Sequence, residues 1–184
     1  MTRIAIFDLD GTLVDSDEAL AAPFVAHGIP RDEITFGHVL ADECARLGLS
    51  VDDYLALYDE ELAQPFPGVV EVVSQLDRWA VCSNKHADVG HAELARFGWH
   101  PEVALFSDAF GGPKRLQPVL DALAIGAHEV VFIGDTGHDR RVAAEAGATF
   151  GLAGWNLRAE SEPGDIVLGT PGDVLALLGS RPAQ

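Results

Sequence analysis

Apolar residues in this chain fall into short unbroken runs, separated by longer stretches where apolar positions recur every three or four residues. The runs Ile4-Ala5-Ile6-Phe7, Trp79-Ala80-Val81-Cys82 and Val130-Val131-Phe132-Ile133 show no polar alternation, as expected of strands buried on both faces. Strands are predicted over 3–8, 79–83, 104–108, 129–135, 149–153 and 165–168. Helices are predicted over 69–76, 86–97, 116–123, 140–146 and 173–178. Regular strand–helix alternation predicts a parallel sheet with helices on both faces, a three-layer α/β core. In such sheets ligands bind beyond the carboxyl ends of the strands.

One region breaks this rhythm. No strand pattern occurs between Asp15 and Gln64, whereas 17–26, 34–47 and 51–62 carry helical spacing, punctuated by Gly28-Ile29-Pro30 and Gly48-Leu49-Ser50. The segment is too long for an ordinary strand-to-helix loop. We read residues 15–64 as a short all-helical cap inserted after the first strand, with residues 1–14 and 65–184 as the core. Pro65-Phe66-Pro67-Gly68 returns the chain to that core.

Composition narrows the class. Of 184 residues 48% are hydrophobic, enough for a packed globular core. No apolar run reaches membrane-spanning length. No secretory leader is read, which makes the cytoplasm the expected location. The two cysteines, Cys44 and Cys82, predict neither a disulfide nor a zinc site, and Cys82 is expected in the core. Twelve basic residues face 29 acidic ones, a formal charge of −17. Such a surface repels nucleic acid and anionic membranes, so neither is an expected partner. It also repels phosphorylated ligands, so a phosphate site here needs a metal ion or local cations.

The suspect polar residues all sit at strand ends or helix entries. Asp8-Leu9-Asp10-Gly11-Thr12 follows the first strand. Two carboxylates two residues apart suit phosphoryl transfer on Mg²⁺: carboxylates ligate hard cations, one can act as a nucleophile, and the other can move a proton. Ser83-Asn84-Lys85 follows the second strand, where a hydroxyl and backbone N–H groups can bind phosphate oxygens. Lys114, after Gly111-Gly112-Pro113, can neutralise a transferring phosphoryl group. Gly134-Asp135-Thr136-Gly137-His138-Asp139 places Asp135 at a strand mouth for direct ligation, with Asp139 one turn on to ligate through water or to orient the ligands. Arg31 is a cap cation expected in solvent, Arg140-Arg141 reads as a solvated pair, and the tryptophans read as packing residues.

Jointly and in this order, these four stretches resemble the haloacid dehalogenase superfamily, and within it the phosphoglycolate-phosphatase-like branch. The resemblance implies a Rossmann-like core and a Mg²⁺-dependent phosphatase acting on a small phosphorylated metabolite. By that resemblance Asp8 is the nucleophile that becomes an aspartyl-phosphate. Asp10 is the general acid and then the base. Asp8, the Asp10 backbone carbonyl and Asp135 hold Mg²⁺, and Lys114 holds phosphoryl charge beside Asp8. Ser83 binds phosphoryl oxygens, with Thr12, Asn84 and Lys85 as further substrate-binding or supporting residues. The presence of Asp10 argues against the dehalogenases and phosphonate hydrolases of the superfamily. A phosphotransferase or mutase, and a non-catalytic binding protein on the same scaffold, stay open. The cap is shorter than the branch leads one to expect, and the oligomeric state is not legible.

Overall fold

The computed structural model describes residues 3–179. In chain order the elements are β1 (Ile4–Phe7), β2 (Val14–Asp15), α1 (Asp17–Ala26), α2 (Leu40–Leu47), α3 (Val51–Leu55), β3 (Gln64–Pro65), α4 (Val69–Val73), β4 (Trp79–Cys82), α5 (Ala87–Arg96), β5 (Val103–Leu105), α6 (Gln117–Leu123), β6 (Val130–Gly134), α7 (Gly137–Ala146), β7 (Thr149–Ala153), β8 (Ile166–Leu168) and α8 (Asp173–Gly179). Six strands pair in the order β5-β4-β1-β6-β7-β8, every pair parallel.

The unbroken apolar runs become the central strands because both of their faces are covered. Alternate residues feed two cores. Ala5, Phe7, Val81, Val131 and Ile133 pack with Val69, Val72, Leu94 and Val174 on one side. Ile4, Ile6, Ala80, Val130 and Phe132 pack with Val119, Leu120 and Val142 on the other. This is the expected three-layer α/β core. Cys82 and Cys44 are both buried free thiols. No helix among the described residues is long and apolar enough to cross a membrane.

Strand β1 lies between β4 and β6, so the carboxyl ends of three adjacent strands carry Asp8, Ser83 and Asp135. The chain leaves β1 through a tight turn in which the N–H groups of Thr12, Leu13 and Val14 all donate to the Leu9 carbonyl (3.0–3.3 Å). Gly11 in this turn has φ +74°, and a Cβ there would collide with the Asp135 carboxylate. Glycine is required on both counts.

Strands β2 and β3 form a small antiparallel ladder, Val14 opposite Pro65 and Asp15 opposite Gln64. The Phe66 N–H extends it with a bond to the Leu13 carbonyl (3.0 Å). Between these strands α1–α3 enclose a third core of Ala21, Phe24, Ile34, Cys44 and Tyr54. Two expectations need correction here. The span 34–47 is not one helix: 34–39 is irregular, and the helix starts at Leu40. The span 51–62 is likewise broken, into α3 and a 3₁₀ turn at Glu60–Leu62. In both, apolar side chains beyond the helix, Ile34 and Phe36 in the first span and Tyr58 in the second, also reach the third core from non-helical backbone. Gly37 at φ +84° stops the first from being helical.

Candidate active site

The turn after β1 directs Asp8 toward Lys114. The Lys114 ammonium pairs with Asp8 Oδ2 and with Asp139 Oδ1, both at 2.6 Å, and all three groups are buried. The other Asp8 oxygen accepts from the Leu9 N–H (2.7 Å). Asp139 is locked in place by a reciprocal cap at the start of α7. The Thr136 hydroxyl and N–H donate to Asp139 Oδ2 at 2.6 and 3.0 Å, and the Asp139 N–H donates back to Thr136 Oγ1 at 3.2 Å. Asp139 therefore reaches the site as the partner of Lys114.

Asp135 completes the group: oxygens of Asp8, Asp135 and Asp139 lie within 4.8 Å of one another. The Thr12 hydroxyl donates to Asp135 Oδ1 (3.3 Å), and Asn156 Nδ2 donates to Asp135 Oδ2 and to the Gly11 carbonyl, both at 2.9 Å. Burial pushes the Asp135 carboxyl up to about 7, with Asp8 and Asp139 adding to the shift. Burial likewise pushes Asp8 up to about 6, against the pull of Lys114. Burial disfavours the Lys114 charge, but Asp139 and Asp8 outweigh it and hold its pKa above the ordinary lysine value. Three buried carboxylates offset by one ammonium form a hard oxygen-donor set with surplus negative charge, which fits a divalent cation.

Residues 30–153 match the haloacid dehalogenase-like hydrolase family. The chain belongs to that family. Among relatives of this haloacid dehalogenase-like hydrolase, a pyrophosphatase PpaX from Halalkalibacterium halodurans is 25% identical over 208 aligned positions that take in 96% of each chain. This alignment is longer than the 184 residues of the present chain, so the relative carries segments that this one lacks. A phosphoglycolate phosphatase from Xanthomonas campestris pv. campestris is 28% identical over 85% of each chain. The fold is shared with a subfamily IA, variant 1 hydrolase of the superfamily from Geobacter sulfurreducens (TM-score 0.77, 22% identity, 96% of this chain and 100% of that one).

A second polar cluster adjoins the first. Lys85 Nζ contacts Asp10 Oδ1 at 2.5 Å, Glu93 Oε1 at 3.0 Å and the Tyr58 hydroxyl at 3.2 Å. The Tyr58 hydroxyl in turn donates to Glu93 Oε1 (2.6 Å). Burial opposes the Lys85 charge, yet Asp10 and Glu93 raise its pKa. Burial raises the Glu93 carboxyl even with Lys85 beside it. Asn84 links two regions, accepting from the Lys114 N–H (2.7 Å) and donating to the Gly37 carbonyl (2.9 Å). Ser83 is buried at the same strand edge and accepts from the Lys85 N–H (3.3 Å).

The structure thus gathers Asp8, Asp10, Thr12, Ser83, Asn84, Lys85, Lys114, Asp135 and Asp139 around one end of the sheet. Sequence reasoning missed Asn156 and Arg158. Both follow β7, so the strand-end rule that found the others would have found them. Arg158 pairs with Asp17, lies 4.0 Å from Asp135 and covers the Phe36 ring. Tyr58 and Glu93 carry no such signal. Away from the site, Arg31 pairs with Glu18 on the surface. Arg140 is not simply solvated, since it holds Glu162 and Asp165 at 2.9 and 2.7 Å. Trp155 packs against the core and donates its indole N–H to the Thr12 carbonyl (2.9 Å).

Proposed function

We propose that this chain is a Mg²⁺-dependent phosphatase that hydrolyses a small-molecule phosphomonoester through a phosphoryl group carried on Asp8. Asp8, Asp135 and the Asp10 backbone carbonyl would hold the ion. When bound, it supplies positive charge that offsets the repulsion between the Asp8 carboxylate and the phosphoryl oxygens. Lys114, held by Asp139, adds a fixed positive charge at the Asp8 oxygen. Ser83 binds a phosphoryl oxygen, while Thr12 and Asn156 orient Asp135.

In the first step an Asp8 oxygen bonds to phosphorus as the ester bond breaks, and Asp10 gives its proton to the departing alkoxide. In the second, water attacks phosphorus, Asp10 takes the proton, and inorganic phosphate leaves with Asp8 regenerated. Lys85, tied to Glu93 and Tyr58, holds Asp10 at the mouth of the site. Residues 15–64 act as the cap that covers this mouth.

The observation that carries this reading is the buried contact of Lys114 with Asp8 and Asp139, with Asp135 in the same cluster. A panel of phosphorylated metabolites assayed for phosphate release with Mg²⁺ or EDTA tests it. Release with Mg²⁺ that stops in EDTA is expected. Transfer of the phosphoryl group to a second metabolite without phosphate release would contradict it.

A further inference from the structure

The phosphoryl end of the site is polar, whereas its opposite end is walled mostly by apolar side chains, with Thr35, His38 and Glu43 among them. A cavity of about 60 Å³ runs from Asp8, Asp10 and Ser83 under the helical segment, where Leu20, Phe24, Ile34, Phe36, Leu40 and Tyr54 wall it. Its volume is a few times what one water needs, so it holds only a short group.

The charges around it point one way. Among the described lining residues Lys85 is the only lysine or arginine, and it is spent on Asp10 and Glu93. Three carboxylates line the same space, those of Asp8, Asp10 and Glu43. Glu43 is buried and engaged by Arg46 (2.6 Å) and by the Thr35 N–H (2.7 Å). Asn84 is committed to Gly37 and Lys114. The imidazoles of His38 and His86 also line the cavity. A carboxylate or second phosphate on the leaving group would lose its water against the apolar wall, and the one lysine on the lining is already paired with Asp10 and Glu93. An uncharged apolar group meets none of these costs and gains by burial.

Resting on the phosphatase reading, we infer that the leaving group is a short, uncharged and largely apolar alcohol. A second anionic group on the substrate is selected against. The chain would then differ in substrate from relatives named for phosphoglycolate and pyrophosphate, while sharing their phosphoryl chemistry.

Isobutyl phosphate and phosphoglycolate make a matched pair, with an isopropyl group in one where the other has a carboxylate. With Mg²⁺, kcat/KM for isobutyl phosphate is expected to exceed that for phosphoglycolate by about 10- to 100-fold. Phosphoglycolate or pyrophosphate as the better substrate would overturn the inference and leave the phosphatase reading standing. If none of the three is hydrolysed, the metabolite panel alone decides the phosphatase reading, and binding decides the inference separately. Isopentylphosphonate must then bind more tightly than 3-phosphonopropionate in the presence of Mg²⁺, and the reverse order overturns it. In Leu40→Lys the added ammonium should move the ratio of kcat/KM values toward phosphoglycolate by roughly tenfold. An unmoved ratio would place the leaving group outside this cavity and overturn the assignment.

Discussion

Asp8, Asp135 and Asp139 crowd three acidic groups around one ammonium, and the chemistry follows from that imbalance. Exchanging one Asp8 oxygen for nitrogen keeps the shape and removes the proposed nucleophile. Asp8→Asn should therefore lower kcat by about 10³-fold or more while its circular dichroism stays native. Full activity in this variant would refute the nucleophile assignment. Lys114→Met leaves buried carboxylates without their cation and should destabilise the metal-free protein by about 3–5 kcal/mol, read from urea unfolding in EDTA. An unchanged midpoint would show that the pairing does not hold the fold. Burial raises the folded-state pKa of Asp8 to about 6 and of Asp135 to about 7, above the ordinary carboxylate value near 4. A raised acid favours the folded state below its unfolded pKa, and that contribution is lost as pH rises through the folded value. In EDTA the unfolding temperature should thus fall between about pH 5 and pH 8. Mg²⁺ should restore it at the upper end, and a metal-free protein that gains stability over this range would contradict the balance described.

Elements matter because of what they tie together. Tyr58 from the helical segment meets Glu93 of α5 and Lys85 after β4, and Lys85 carries the cluster to Asp10. If this contact holds the proton donor in place, its loss should depend on how much the leaving group needs a proton. Glu93→Gln and Tyr58→Phe should slow alkyl phosphates by about tenfold or more, and p-nitrophenyl phosphate much less. Equal slowing of both would indicate a packing role only. The legibility of the elements has a plain physical cause. The strands β1, β4 and β6 were readable because two-sided burial demands an unbroken apolar run. The β2–β3 ladder was not, since two residues per strand leave no period to detect. The span 34–39 looked helical because Ile34 and Phe36 face the third core, but its backbone runs irregularly over the site, with the Gly37 carbonyl bonded to Asn84. Asp8, Asp10, Lys114 and Asp135 were found because strand ends next to glycines concentrate ligand chemistry. Glu93 was hidden inside an ordinary helical pattern, and only tertiary packing brings it to Lys85.

For the whole molecule, the formal charge of −17 acts on any anion approaching the site. A dianionic ester meets a repulsive field before it meets Lys114. Added inert salt shortens the reach of that field to about 10 Å at 0.1 M. At constant Mg²⁺, kcat/KM should therefore rise with salt over this range, and a steep fall would mean that local cations dominate the approach. The central claim concerns one atom: an Asp8 oxygen that carries the phosphoryl group between two chemical steps. Rapid acid quench of the Mg²⁺-loaded enzyme during turnover, followed by peptide mapping, tests it most directly. The account predicts a hydroxylamine-labile phosphoryl group on the peptide containing Asp8, absent from Asp8→Asn. A phosphoryl group on Ser83, or undiminished turnover in Asp8→Asn, would contradict it.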